Sequence, residues 1–134
     1  MTPRRRNVEP LGWTRPRGYS NGVLAEGKFL FVAGQIGWDP RQSPPRFLDG
    51  FAAQFDQALK NVADVVREAG GEPKNLVRLT VYVTDKAQYL AATLEVGAAW
   101  RRHIGRSYPA MSLVQVAGLL EDAALVELEA TALL

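Results

Sequence analysis

The chain has no cysteine, one histidine, and no apolar run near the roughly 18 residues needed to span a bilayer. Without cysteine there is no disulfide framework and no thiol chemistry, so a reducing, cytoplasmic home is the simplest expectation. Without a long apolar run, no membrane-spanning helix is expected. The first ten residues, Met1 to Pro10, are basic and polar with no apolar stretch behind them, so no secretory signal is expected either.

What is present fits one globular domain. The 134 residues are 47% hydrophobic and 22% charged, enough for a single core. Net charge is only +2. The basic excess is local: Arg4, Arg5, Arg6, Arg15 and Arg17 are opposed only by Glu9 over the first seventeen residues. A nucleic-acid arm is one reading of this stretch, and a frayed, solvated terminus is the plainer one. No basic stripe runs through the rest of the chain, so nucleic acid is not expected as a partner.

Hydrophobic periodicity places the elements. Tyr19 to Ala25 and Phe29 to Ala33 read as two strands of a hairpin turned at Glu26-Gly27-Lys28. The unbroken apolar run Phe29 to Ala33 suggests a strand covered on both faces. Phe51, Phe55, Ala58, Leu59, Val62, Val65, Val66 and Ala69 recur at helical spacing, with Asp49 as the expected N-cap and Gly70-Gly71 as the stop. Val77, Leu79, Val81 and Val83 alternate with polar residues in a strand. A second helix is expected from about Lys86 to Ile104, ended by Gly105. Ala110 to Val116 and Leu125 to Leu133 complete the strands. Between the first strands and the first helix, the proline-rich loop Asp39 to Arg46 can continue neither helix nor strand.

The order β-β-α-β-α-β-β predicts an α+β sheet with two helices on one face. The other face would carry Thr80, Tyr82, Glu127, Glu129 and Ser112 or Met111. A bare mixed face of that size predicts an oligomer with a small-molecule cleft between subunits.

Five segments, in order, resemble the RidA/YjgF family of enamine and imine deaminases: Gly18 to Asn21, Phe31 to Ile36, Leu79 to Asp85, Tyr108 to Ser112 and Val126 to Ala130. The resemblance runs from Gly18 to the C-terminus. It divides the chain into a basic N-terminal extension, 1–17, and a single RidA-like domain, 18–134. It implies a chorismate-mutase-like fold and a homotrimer with three interface clefts. It also implies hydrolysis of imines and enamines such as 2-aminoacrylate to a keto acid and ammonia, with neither metal nor organic cofactor. Older family labels are translation inhibitor and L-PSP endoribonuclease. The lone His103 has no evident catalytic partner in the sequence, and the cleft segments are not visibly basic, so RNA cleavage is not expected.

Carried over position by position, the resemblance makes Glu127 the carboxylate that polarises water and Tyr19 the cleft tyrosine. Backbone at Gly34, Gln35 and Ala110 would bind a carbonyl or amine. Three positions depart from the pattern. Where the deaminases carry the arginine that forks onto a substrate carboxylate, this chain has Met111. Ala33 and Leu113 stand where a small polar residue and a cysteine are common. A thioether supplies no positive charge, so the expected cleft is more apolar and 2-aminoacrylate is not the expected substrate. Two functional readings follow: an enzyme for another imine, enamine or related C–N bond, or a trimer that keeps the cleft and only binds a metabolite. Each residue also has a structural reading. Glu127 would then be a sheet carboxylate, Met111 a gap-filler and Gln35 a brace on a backbone turn. Arg101 and Arg102 would be solvated, and Trp13 and Trp38 would be loop anchors.

Overall fold

The computed structural model describes residues 4–134. In chain order its elements are β1 (Arg5–Val8), β2 (Gly22–Ala25), β3 (Phe29–Ile36), β4 (Trp38–Asp39), β5 (Arg46–Phe47), α1 (Phe51–Glu68), a 3-10 turn (Pro73–Asn75), β6 (Leu76–Val83), α2 (Lys86–Ala91), α3 (Thr93–His103), β7 (Ala110–Gln115) and β8 (Val126–Leu133). Four strands form one mixed sheet in the order β3-β8-β6-β7, antiparallel except for the β6–β7 pair. The two crossovers, β3-α1-β6 and β6-α2-α3-β7, put the helices on one face, as the α+β reading requires.

The apolar stripe of α1 explains the core. Phe55, Ala58, Leu59, Val62 and Val66 are buried against Leu79, Val81, Val83, Val126, Leu128 and Ala132 of the sheet. Two polar residues share the buried side of α1, and both are fully used. Gln54 Nε2 donates to Leu48 O (3.1 Å) and Ala123 O (3.0 Å), while its Oε1 accepts from Leu125 N (2.8 Å). Asn61 Nδ2 donates to Ile36 O (3.3 Å) and Trp38 O (2.9 Å). Buried amides bonded this way fix the chain on either side of the sheet at little net cost.

Several expectations need correction. β2 does not pair with β3. Its partner is β1, antiparallel, with Arg5 opposite Ala25 and Val8 opposite Gly22. Gly27 does turn the chain at φ +140°, but Arg4 fills the space a side chain there would need. Arg4 N-terminal to the ribbon is itself tied down, donating through Nη2 to Leu134 O (2.6 Å) and accepting at its carbonyl from Glu26 N (2.9 Å). From Arg4 to Val8 the basic stretch is therefore built into the fold rather than frayed, and residues 1–3 lie outside the described residues. β3 is covered by α1 on one face only: Val32 is buried, while Phe31 on the other face is 77% exposed. The N-cap of α1 is Gly50 at φ +84°, not Asp49. The second helix breaks at Ala92 into α2 and α3, where Ala92 N bonds Tyr89 O in a tight turn. The stops at Gly70 and Gly105 are as expected, both at positive φ.

Candidate active site

Alternation along β8 decides where its side chains go. Val126, Leu128, Ala130 and Ala132 are buried beneath the helices, so Glu127, Glu129 and Thr131 project from the opposite face. There Tyr82 donates its hydroxyl to Glu129 Oε1 (2.6 Å), and that bond pushes the phenol above its ordinary value, with the Glu129 and Glu127 charges acting in the same direction.

Glu127 lies beside a defect in β3. The ladder runs Val32–Ala130, then Gln35–Leu128, so Ala33 and Gly34 together face only Glu129. This is a β-bulge, which leaves local backbone groups unpaired and re-aims the edge of a sheet. Gly34 packs directly on the Glu127 side chain, and any Cβ there would collide with Glu127 Oε1. Gln35 Nε2 donates to Ala33 O (3.1 Å), which closes the bulge and matches the bracing role. Asn61, through Ile36 O and Trp38 O, anchors the end of this strand. Glu127, Ala33, Gly34 and Gln35 therefore form one group, a half-buried carboxylate against a glycine bulge on a helix-free face.

A second group gathers on the other side of the sheet. Met111 and Leu113 are in register with Leu79 and Val81, so they face the helices. With Tyr19, Tyr89, Val96 and Trp100 they line a cavity of about 370 Å³. Among its described lining residues the one formal charge is Arg17, itself exposed. The wall is rigid. Trp100 stacks on Tyr108 (centroids 5.8 Å, planes 10° apart) and donates through Nε1 to Ser107 O (3.2 Å). Ser20 bonds Pro109 O through its backbone N–H (2.9 Å) and Tyr108 O through its hydroxyl (2.6 Å) and pairs with Ala110 in a parallel bridge, which anchors the neighbouring Tyr19.

The carboxylate and the methionine are thus not neighbours within one chain. β6 lies between β8 and β7, and the two side chains leave opposite faces. Two strand spacings and three residue rises put their backbones roughly 14 Å apart. Of the alternatives Ser112 or Met111 for the helix-free face, the register therefore excludes Met111, and β7 and β8 are not neighbouring strands because strand order is set by crossovers rather than by sequence proximity.

The remaining basic candidates are accounted for. Arg102 and His103 both hold Asp56 of α1, His103 Nε2 lying 2.9 Å from Oδ1. Burial opposes ionisation of Asp56, but the bonds from Arg102 and His103 outweigh it and hold the carboxyl below its ordinary value. None of Arg101, Arg102 and His103 lines the Met111 cavity. Trp38 packs on Phe47 (5.3 Å), and Trp13 is largely exposed. Among the described residues no group of three or more His, Cys, Asp or Glu side chains is placed to hold a metal ion. Among the described residues no helix is long and apolar enough to cross a membrane.

Sequence reasoning missed Gln54, Asn61 and Arg17. The first two carried a readable signal, since they are seven residues apart in the phase of the α1 apolar stripe. Arg17 carried none.

Comparison with known proteins gives the family and the fold. Residues 14–134 match the family model described as endoribonuclease L-PSP. A RutC family protein of Synechocystis is 35% identical over 120 residues, covering 89% of this chain and 88% of that protein. The human 2-iminobutanoate/2-iminopropanoate deaminase is 31% identical over 115 residues, covering 86% and 79%. The solved structure of a Rid-family protein of Yersinia pestis, titled as of unknown function, superposes with a TM-score of 0.82 at 33% identity over 98% of this chain and 99% of that one. The chain belongs to the RidA/YjgF family.

Proposed function

We propose that this protein hydrolyses the C–N bond of an imine or enamine in a cleft completed by two protomers of a homotrimer. In this reading one protomer supplies Glu127 and the Ala33–Gln35 bulge, and its neighbour supplies the cavity of Tyr19, Met111 and Leu113. The observation that carries the reading is the Glu127 carboxylate seated against Gly34, on the same helix-free sheet face as the exposed Phe31. A base held on a fixed backbone and facing an open surface is what directed water attack requires. An imine deaminase among the relatives supports the reaction class.

The chemistry balances with water alone. An enamine first takes up a proton at carbon and releases one from nitrogen, which gives the imine. Glu127 accepts a proton from water as its oxygen bonds to the C=N carbon, and the nitrogen takes up a proton. The resulting carbinolamine expels ammonia and leaves a carbonyl.

Met111 shapes the substrate. The cavity beside it is mostly apolar, its one guanidinium belongs to the exposed Arg17, and position 111 itself offers a small free carboxylate no fork. The favoured substrate carries an apolar group next to the reacting carbon. The test generates 2-aminoacrylate and a series of bulkier imines enzymatically and follows the carbonyl product. Acceleration of a bulkier imine, lost in Glu127→Gln, is expected. If no imine is accelerated while a ligand binds saturably, the protein is a metabolite-binding trimer instead. Met111→Arg is expected to raise activity on carboxylate-bearing imines; a folded, trimeric variant with no gain would show that the cleft differs elsewhere.

A further inference from the structure

A cavity of about 800 Å³ lies where the β1 ribbon meets the 3-10 turn and the loop between α3 and β7. Its wall carries Arg5, Arg6, Arg15, Lys74 and Arg106 against one carboxylate, Glu9. That carboxylate is already committed, accepting from Asn21 N (3.1 Å) and Asn21 Nδ2 (2.5 Å). Lys74 meets Glu72 at an exposed site (3.2 Å). Among the described residues no carboxylate pairs with Arg5, Arg6, Arg15 or Arg106.

Arg5 is the brace that assembles this wall. Nη1 donates to Lys74 O (2.8 Å) and Nη2 to Tyr108 O (3.4 Å), so one side chain ties the ribbon to both other segments. Ser107 Oγ adds a bond to Lys74 O (3.2 Å). Arg5 is partly desolvated, and that burial lowers its pKa. Bringing five cations around one concavity is unfavourable through like-charge repulsion, and a bound polyanion would relieve it. The volume lies within the range of small-ligand sites. Guanidinium forks match phosphate oxygens bidentately. The cavity shares Gly18, Tyr19 and Tyr108 with the apolar cavity beside Met111, so a group held here lies next to that cleft.

We propose that this basic cavity is a binding site for a phosphate-bearing small molecule. Calorimetry of the full chain with inorganic pyrophosphate at low ionic strength tests it. One saturable site per chain is expected, weakening as salt rises. The double variant Arg15→Glu/Arg106→Glu, at two exposed positions, should bind at least about tenfold more weakly. Lys28→Glu, outside the cavity, should bind as the parent does. Absence of saturable binding, or equal weakening by Lys28→Glu, overturns the site. Tighter binding of a single-stranded oligonucleotide than of pyrophosphate, with a steeper salt dependence, overturns it in favour of a nucleic-acid surface. Glu127→Gln should bind pyrophosphate normally. A chain that binds pyrophosphate but hydrolyses no imine would therefore retain this site and lose only the catalytic reading.

Discussion

The two faces of the central sheet are built to different standards. On one, Leu79, Val81, Val83, Val126, Leu128 and Ala132 are buried almost completely under α1 and α3. On the other, Phe31 is 77% exposed, and Tyr82, Glu127 and Glu129 stand with no helix above them. Glu127 and Leu128 are adjacent in sequence and belong to opposite worlds. The closed face is where burial stabilises the fold; the open face is where a polar group stays free to act. A face that holds an exposed phenylalanine and a seated carboxylate is left open in the single chain, and the proposed cleft assigns its cover to a second protomer.

That comparison can be broken at adjacent residues. Glu127→Gln should reduce imine hydrolysis by about a hundredfold to ten-thousandfold, with melting temperature unchanged, in a steady-state assay paired with thermal unfolding. Leu128→Ala should do the reverse: about 3 kcal/mol of stability lost in denaturant titration, with the activity of the folded fraction retained. Equal effects of the two substitutions on stability would remove the distinction between the faces. Phe31→Asp should cost about 2 kcal/mol of association per buried ring and yield smaller species by light scattering, leaving the protomer folded. An unchanged particle mass would mean this face is not the interface.

Gly34→Ala is a finer probe, because the nearest atoms the new methyl meets all belong to the Glu127 side chain, Oε1 first, rather than to backbone. It should lower turnover about tenfold by displacing the carboxylate, with a stability change under about 1 kcal/mol. The smallest expected effect lies away from both faces, at Asp56. Its carboxyl is held below the ordinary value by Arg102 and His103 despite partial burial. The stability it adds is present above about pH 4 and is lost as pH falls through the folded value. Asp56→Asn should remove that acid-side slope, worth about 1 kcal/mol or less at so exposed a pair. An identical pH profile for the variant would discard the assignment.

Much of this was legible in the chain itself. The α1 stripe, the alternation in β6 and β8, and the stops at Gly70 and Gly105 are local signals, and each survives in the structure. So does the placement of Glu127 on the helix-free face, which needed only the period of a strand. What was hidden is long-range. Nothing near Gly22–Ala25 announces that Arg5–Val8, rather than the next strand, will pair with it. Nor does sequence spacing reveal that β6 separates Glu127 from Met111. The arginines of the first seventeen residues read as solvated because composition does not show which carbonyls a guanidinium will reach. Arg5 spends itself on Lys74 O and Tyr108 O, and a cavity follows from that one contact.

Mixing two disabled proteins reports most directly on whether the cleft is shared. Glu127→Gln removes the base, and Met111→Trp fills the cavity on the other side of the sheet. If neighbouring protomers supply one half each, hybrids formed by unfolding and refolding an equal mixture should regain about a quarter of parental activity, since one cleft in four draws both intact halves. A mixture as inactive as its two components would contradict the shared cleft.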